Sequence, residues 1–288
     1  MTSFELIKLA VVVSIFLTVL GIGMSATVRE VTYLMREPGL LFRSFISMFV
    51  VMPVAVAVVA RVSNLPEAVK IALIALALAP VPPILPRREL KAGGHADYAV
   101  GLLAMGALIA IVYVPLAVEI LDRIFDRHGD VSPVAIGKIV LVTILAPLLL
   151  GMTIRQWAPS VAAKGAGRVL ATGMILLVAA CIPLLMATWE AVVALFGDGT
   201  VLIMALIAAG GLLLGHALGG PRPEHRIVLA LSTASRHPAV ALTVATSGVM
   251  RTKQELAAVL LYVVISVLVS LPYVMWRRRQ AAAGAGGP

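Results

Sequence analysis

An apolar run from Ile227 to Val249 contains three adjacent residues that a membrane-spanning helix rarely tolerates together: Arg236, His237 and Pro238. The run is long enough to cross a bilayer, which takes about 20 apolar residues. Proline removes a backbone donor and disfavours helix at the residue before it. An arginine near mid-membrane costs roughly 2.5–3.5 kcal/mol on insertion scales. The combination indicates a broken, polar helix that has a use in the middle of the membrane.

The composition is typical of a polytopic membrane protein. Of the 288 residues, 61% are hydrophobic and 13% are charged, and the mean hydropathy is +1.05. A soluble domain is about half apolar and a quarter charged. The net charge of +9 does not predict a nucleic-acid partner, because the basic residues lie in short connections between apolar segments. We therefore expect an all-α membrane protein with the lipid bilayer as its surroundings.

The apolar segments predict about nine transmembrane helices. They lie at 4–24, 40–62, 67–85, 97–120, 133–153, 168–188, 199–219, 226–249 and 255–276. Lysine and arginine concentrate in alternate connections and at the C-terminal end, which places the N-terminus outside and the C-terminus in the cytoplasm. We expect a bacterial inner-membrane protein whose tail, 277–288, is basic and then Ala/Gly-rich, and is disordered from Gln280.

The third span is also broken. Its end reads ALAPVPPILPRRELKAGG, and Pro80, Pro82, Pro83 and Pro86 cannot lie in one regular helix. The third and eighth spans are an odd number of crossings apart, so they run in opposite directions. Interrupted segments at corresponding positions of two inverted halves indicate the binding site of a secondary transporter. The unwound backbone of both must face a cavity or be buried in protein, because lipid cannot satisfy it.

Arg236 is the central candidate for substrate binding at these breaks. A guanidinium binds a carboxylate bidentately, which favours an organic anion, and Arg87 and Arg88 would make the inner vestibule basic. The alternatives remain open. Arg236 could instead neutralise the C-terminal end of a half-helix without touching a substrate. Arg87 and Arg88 could simply be the basic residues that cytoplasmic connections carry.

The polar neighbours of Arg236 complete the candidate site. His237 titrates near neutral pH, so it could carry a coupling proton, or it could stay neutral and donate a hydrogen bond. Ser232, Thr233 and Ser235 are candidates for substrate contacts, although hydroxyls in membrane helices commonly bond to backbone carbonyls instead. We expect Glu89 to pair with a nearby arginine.

Motifs for catalysis and cofactor binding are absent from the sequence. It has no Gly-rich phosphate loop, no HExxH, no nucleophile elbow and no cysteine cluster. Cys181 is the only cysteine and is expected to be a packing residue. The sequence therefore predicts neither an enzyme nor a cofactor, and transport would be secondary or facilitated.

The order of these features resembles the bile acid:sodium symporter family. LGIGMSATVREVTYLMREP at 20–38 and VVMPVAVAVVA at 50–60 look like the family's first signature and next core helix. The resemblance implies two inverted repeats of five helices, two crossing discontinuous helices, and core and panel domains. The first helix is missing here, which gives one transmembrane domain, 1–276, with repeats at about 4–122 and 133–276.

The resemblance also locates the family's sodium ligands, and this chain lacks most of them. The pattern Glu-x-Gly-x-Gln-Asn falls on Ser232, Ala234, Arg236 and His237, and the Ser-Asn pair of the first crossing helix falls on Leu85 and Pro86. A serine and a threonine of the next helix fall near Ala99 and Leu103. A guanidinium at a sodium-ligand position would repel sodium and could replace its charge. We therefore expect no cofactor and no use of the usual sodium sites.

The sequence as a whole predicts a secondary transporter of small organic anions that works by alternating access. One alternative is a sodium-coupled symporter whose ion sites are built from backbone carbonyls and hydroxyls. Another is a membrane sensor or assembly protein that uses the same scaffold without transport. A uniporter or exporter similar to the auxin carriers lies close to the main prediction.

Overall fold

The computed structural model describes residues 3–82, 85–124, 138, 141–197, 199–238, 241 and 253–285, and these are helical with no strand. The helices are α1 Ser3–Ser25, α2 Val28–Val31, α3 Tyr33–Arg36, α4 Pro38–Phe45, α5 Met52–Val62, α6 Glu67–Leu78, α7 Leu85–Lys91, α8 Ala96–Ile124, α9 Ala146–Trp157, α10 Pro159–Ala187, α11 Trp189–Ala194, α12 Thr200–Leu218, α13 Pro223–Ala234 and α14 Lys253–Ala285. Two π-helical stretches, Ile46–Val51 and Leu141–Leu145, precede α5 and α9.

Within the described ranges, five helical segments are long and apolar enough to cross a membrane. They are Pro38–Val62, Ala96–Val114, Pro159–Ala187, Thr200–Leu218 and Lys253–Ala281. Leu9–Ser25 and Leu141–Trp157 are shorter apolar helices. The chain is therefore an all-α polytopic integral membrane protein, as its composition predicts.

Most predicted spans coincide with helices, with one clear exception at the sixth. This helix begins at Pro159, not near 168, so Lys164, which the prediction leaves in the preceding connection, lies on α10. Proline is well suited to a first helical position and the alanines that follow favour helix. Pro83, residues 133–140 apart from Lys138, and residues 239–249 apart from Ala241 lie outside the described residues. The count of nine spans stays a prediction.

The π-helical stretch at Ile46–Val51 has a local cause in the sequence. Met52 N–H bonds to the carbonyl of Ser47, which is the π register. The next residue, Pro53, has no N–H. The carbonyl of Met48, which would accept from residue 53 in that register, is therefore left without an intrahelical donor.

The helices pack in two groups. One group is α1 with α9 and α10, and these helices approach closely because Gly23 and Gly151 face each other and Gly173 lies against Thr18. The other group contains α4 to α8 and α12 to α14. Small residues at such contacts allow backbones to approach, which is the main source of packing energy between helices in lipid.

A second glycine contact positions α13. Gly211, Gly215 and Gly219 recur every fourth residue along one side of α12 and its end, and each lies against the backbone of α13. A Cβ atom added at Gly215 would collide with the backbone of Leu229 and Ala230. Helix α13, which begins the broken eighth span, therefore packs with its backbone directly against α12.

The predicted disorder from Gln280 is wrong for residues 280–285. Helix α14 continues to Ala285, and its extension contacts the ends of two other helices. Arg278 Nε donates to the carbonyl of Lys91 at 2.9 Å, and Arg277 donates to the carbonyl of Pro223 at 3.4 Å. Alanine has the highest helix propensity, so an Ala-rich segment with these anchors continues the helix.

Gly215→Leu is expected to destabilise the protein, because the added side chain has no space against α13. Overpacking typically costs about 1–3 kcal/mol, and here the obstacle is backbone. Gly210→Leu, on the same helix, is the matched control, because nothing lies within 4 Å of a Cβ there. The free energy of unfolding and the yield of monodisperse protein in detergent measure the effect. Equal stability of both variants would contradict the described contact.

Candidate functional site

The two breaks meet and are joined by a backbone hydrogen bond, and we call this meeting point the crossing. Helix α6 ends at Leu78 and α13 ends at Ala234, and each is followed by extended residues. The N–H of His237 in the second break donates to the carbonyl of Pro80 in the first, at 3.0 Å. Helical structure resumes at Pro238, and the N–H of Ala241 donates to the carbonyl of His237 at 3.0 Å.

Arg236 satisfies two carbonyl oxygens that the helices leave without donors. Its Nη1 donates to the carbonyl of Ala79, just after α6 ends, at 3.4 Å. Its Nη2 donates to the carbonyl of Met48 in the π-helical stretch at 3.1 Å. The residue is 4% exposed, and its Nε has no hydrogen-bond partner among the described residues. The guanidinium thus binds backbone oxygens from two elements, as a bound cation would.

Other side chains satisfy the remaining polar groups near the second break. The hydroxyl of Tyr262 on α14 donates to the carbonyl of Ala234 at 3.2 Å. The hydroxyls of Thr233 and Ser47 share a hydrogen bond of 2.8 Å. In a membrane, irregular backbone persists only where protein groups or cavity water replace the lost helical bonds. These contacts explain how the broken helix is tolerated inside the protein.

Glu89 is a polar residue of this region whose importance the sequence reading missed. Its side chain is 0% exposed, and its Oε1 accepts a hydrogen bond of 2.6 Å from the hydroxyl of Ser232. The expected pairing with an arginine is wrong, because Arg88 donates to the carbonyl of Val267 and the hydroxyl of Ser270. Helical spacing could have indicated its burial, because Glu89 lies four residues after the apolar Leu85 and therefore on the same face of a helix.

A cavity of about 540 Å³ lies between α1, α10, α14 and the two breaks. From the breaks and α7 it is lined by Pro82, Leu85, Arg87, Arg88, Lys91, Ser235, Arg236, His237 and Pro238. The proposed substrate residues Ser232 and Thr233 are not among the lining residues and bond to Glu89 and Ser47 instead. Cys181 lines the opposite wall on α10 and is only partly buried.

The lining of this cavity has a marked charge bias. Its basic side chains are Arg87, Arg88, Lys91 and Arg236, and no described lining residue is acidic. The rest is mainly leucine, valine and other apolar residues from α1, α10 and α14. Such a cavity is within the usual size range of ligand sites, about 300–1,000 Å³. Its chemistry suits an anion that has an apolar body.

Two broken helices that meet beside a cavity, in an all-helical membrane protein, are the arrangement expected of a secondary transporter. The model of the Sodium Bile acid symporter family matches residues 12–195, more than half of the chain. The chain therefore belongs to this family, which consists of transporters. The matched range includes the first break, whereas Arg236 lies beyond it. No curated protein matches the chain.

Arg236→Met is expected to destabilise the protein, because it leaves the carbonyls of Ala79 and Met48 buried without donors. Each unsatisfied buried group costs about 1–3 kcal/mol. Arg87→Met is the matched control, since Arg87 is exposed and contacts only the sulfur of Met174 among its described polar contacts. Its effect should stay within about 0.5 kcal/mol. Denaturant titration in mixed micelles measures both, and equal free energies of unfolding would contradict the role given to Arg236.

Proposed function

We propose that this protein is a secondary transporter of small organic anions that does not use the usual sodium sites of its family. The observation that carries the proposal is the position of Arg236. Its guanidinium lies at the crossing of the two breaks, donates to the carbonyls of Ala79 and Met48, and lines the cavity. A fixed positive charge there repels a cation and attracts an anion.

The substrate class follows from the cavity. A guanidinium has five N–H donors, so Arg236 retains donors for a substrate after its bonds to Ala79 and Met48. Arg87, Arg88 and Lys91 add positive charge along α7. The apolar wall formed by α1, α10 and α14 would accommodate a hydrocarbon body. An amphipathic carboxylate or sulfonate fits both parts, with its acidic group near Arg236 and His237.

Alternating access would follow from the two packing groups. The cavity lies between α1 and α10 of one group and α7, α14 and the break after α13 of the other, so relative movement of the groups would open it to either side. The breaks would travel with α13 because the glycines of α12 fix α13 to it. In this proposal the repeats are about 4–122 and 133–276, and the C-terminus is cytoplasmic.

The first test is uptake by proteoliposomes, with labelled taurocholate and a panel of other amphipathic anions as probes. Replacing sodium by choline is expected to leave uptake unchanged. Arg236→Gln is expected to lower it about tenfold or more, which corresponds to about 1.4 kcal/mol. Arg87→Gln, an exposed neighbour in the same cavity, serves as the matched variant and should lower uptake less. Strong sodium dependence would support the alternative of a sodium symporter, and binding without counterflow exchange would support a sensor.

A second test uses the native Cys181, which lines the cavity and is the only cysteine in the chain. Maleimide labelling of Cys181 is expected to slow when a transported anion fills the cavity. The protection should disappear in Arg236→Gln, because the anion loses its charged partner. Cys181→Ser controls for background labelling. Unchanged labelling at saturating concentrations of an anion that the protein transports would contradict binding in this cavity.

A further inference from the structure

The buried carboxyl group of Glu89 has no charged partner in the described part of the chain. Ser232 donates one hydrogen bond to Oε1 at 2.6 Å, whereas Oε2 is buried and has no hydrogen-bond partner among the described residues. An isolated carboxylate in such surroundings is far more costly than a neutral acid, which needs only ordinary hydrogen bonds. These surroundings therefore favour the protonated, neutral form of the carboxyl group.

The titratable and charged groups on the helices around Glu89 are bonded to other residues, exposed or themselves acidic. On α7, Arg88 bonds to α14 and Lys91 is exposed. Facing Glu89 from α8, Tyr98 shares a hydrogen bond of 2.7 Å with Ser44.

The remaining groups lie near the starts of α8 and α13. Asp97 pairs with Arg29 at 3.7 Å. His95 accepts from the N–H of Tyr98, His225 bonds to the hydroxyl of Tyr33, and Arg226 donates to the carbonyl of Gly220. Glu224, in the first turn of α13, is acidic and offers Glu89 no cation.

The place of Glu89 links its charge to the position of the crossing helices. Glu89 follows the first break and Ser232 precedes the second, so their hydrogen bond joins α7 to α13. Other residues of α7, including Arg87, Arg88 and Lys91, line the cavity. An ionised Glu89 would need water, from which its side chain is shielded while this hydrogen bond joins α7 to α13. Separation of α7 from α13 would admit that water.

We propose that Glu89 is the binding site of the coupling proton, an inference that rests on the proposed transport function. The proton is held on the carboxyl group while α7 packs on α13. When the two segments separate, the O–H bond breaks, the proton passes to water and Glu89 becomes a hydrated carboxylate. Uptake of a proton from water restores the neutral acid and the Ser232 contact, so that each transport cycle carries one protonation step.

The first experiment detects the proton directly by infrared spectroscopy of the purified full chain at neutral pH. A carbonyl band of a protonated carboxylic acid is expected in the wild type and in Glu190→Gln, an exposed control. The band should be lost in Glu89→Gln. In Ser232→Ala it should persist at a shifted frequency, because the carbonyl loses its hydrogen-bond donor. A wild-type spectrum without the band, or a band retained in Glu89→Gln, would overturn the proposal.

The second experiment asks whether the proton controls the conformation. The rate of maleimide labelling at Cys181 is measured across pH in the wild type and in Glu89→Gln. The wild-type rate is divided by the Glu89→Gln rate at each pH, so that the titration of the thiol itself cancels in this ratio. A ratio that changes severalfold as the pH rises supports coupling, and a constant ratio overturns it. A ratio that responds to sodium but not to pH overturns the proton-binding proposal in favour of sodium binding.

These outcomes are distinguishable from failure of the proposed function. Neither experiment needs a substrate, whereas transport is measured separately by uptake. Uptake that is sodium-independent with no infrared band at Glu89 would keep the transporter and remove its proton site. A Glu89 band and a pH-dependent ratio without uptake of any anion would keep the proton site and remove the proposed function.

Discussion

The need to satisfy backbone polar groups in a membrane governs this structure. Two helices break where they meet, and Pro53 removes a backbone donor from a third helix beside them, so several carbonyl oxygens lose their helical partners. Arg236 binds two of them, the N–H of His237 binds a third, and the hydroxyl of Tyr262 binds a fourth. Arg236 is costly to place in a membrane, but it supplies two of these four hydrogen bonds, which stabilise the crossing.

In the proposed function, one charge replaces another at this crossing. The resemblance expects glutamate at Ser232 and glutamine at Arg236, with sodium between the helices. Here the guanidinium of Arg236 binds the backbone oxygens, while a carboxyl group reaches Ser232 from Glu89 on α7. Charge and carboxyl group are both present, but on different residues. Under that proposal, the site keeps its two broken helices while its ion chemistry changes.

Periodicity and composition predicted most of the fold, because long apolar segments and prolines act locally. Both breaks and the helical class followed from Pro80, Pro82 and the Arg236–Pro238 sequence. The roles of Glu89, Ser232 and Thr233 could not be predicted, since each depends on a partner far away in the chain. The early start of α10 was missed because the basic residue Lys164 was read as part of a loop, although charged residues also occur at helix ends.

The extension of α14 has a practical consequence for work on this protein. Arg277 and Arg278 attach it to the start of α13 and the end of α7, so the last helix acts as a strut between the two interrupted spans. A folded reporter fused close after Ala285 would disturb these two contacts and, through them, the positions of α7 and α13. A fluorescent protein or affinity tag at this end is therefore best separated from α14 by a flexible spacer.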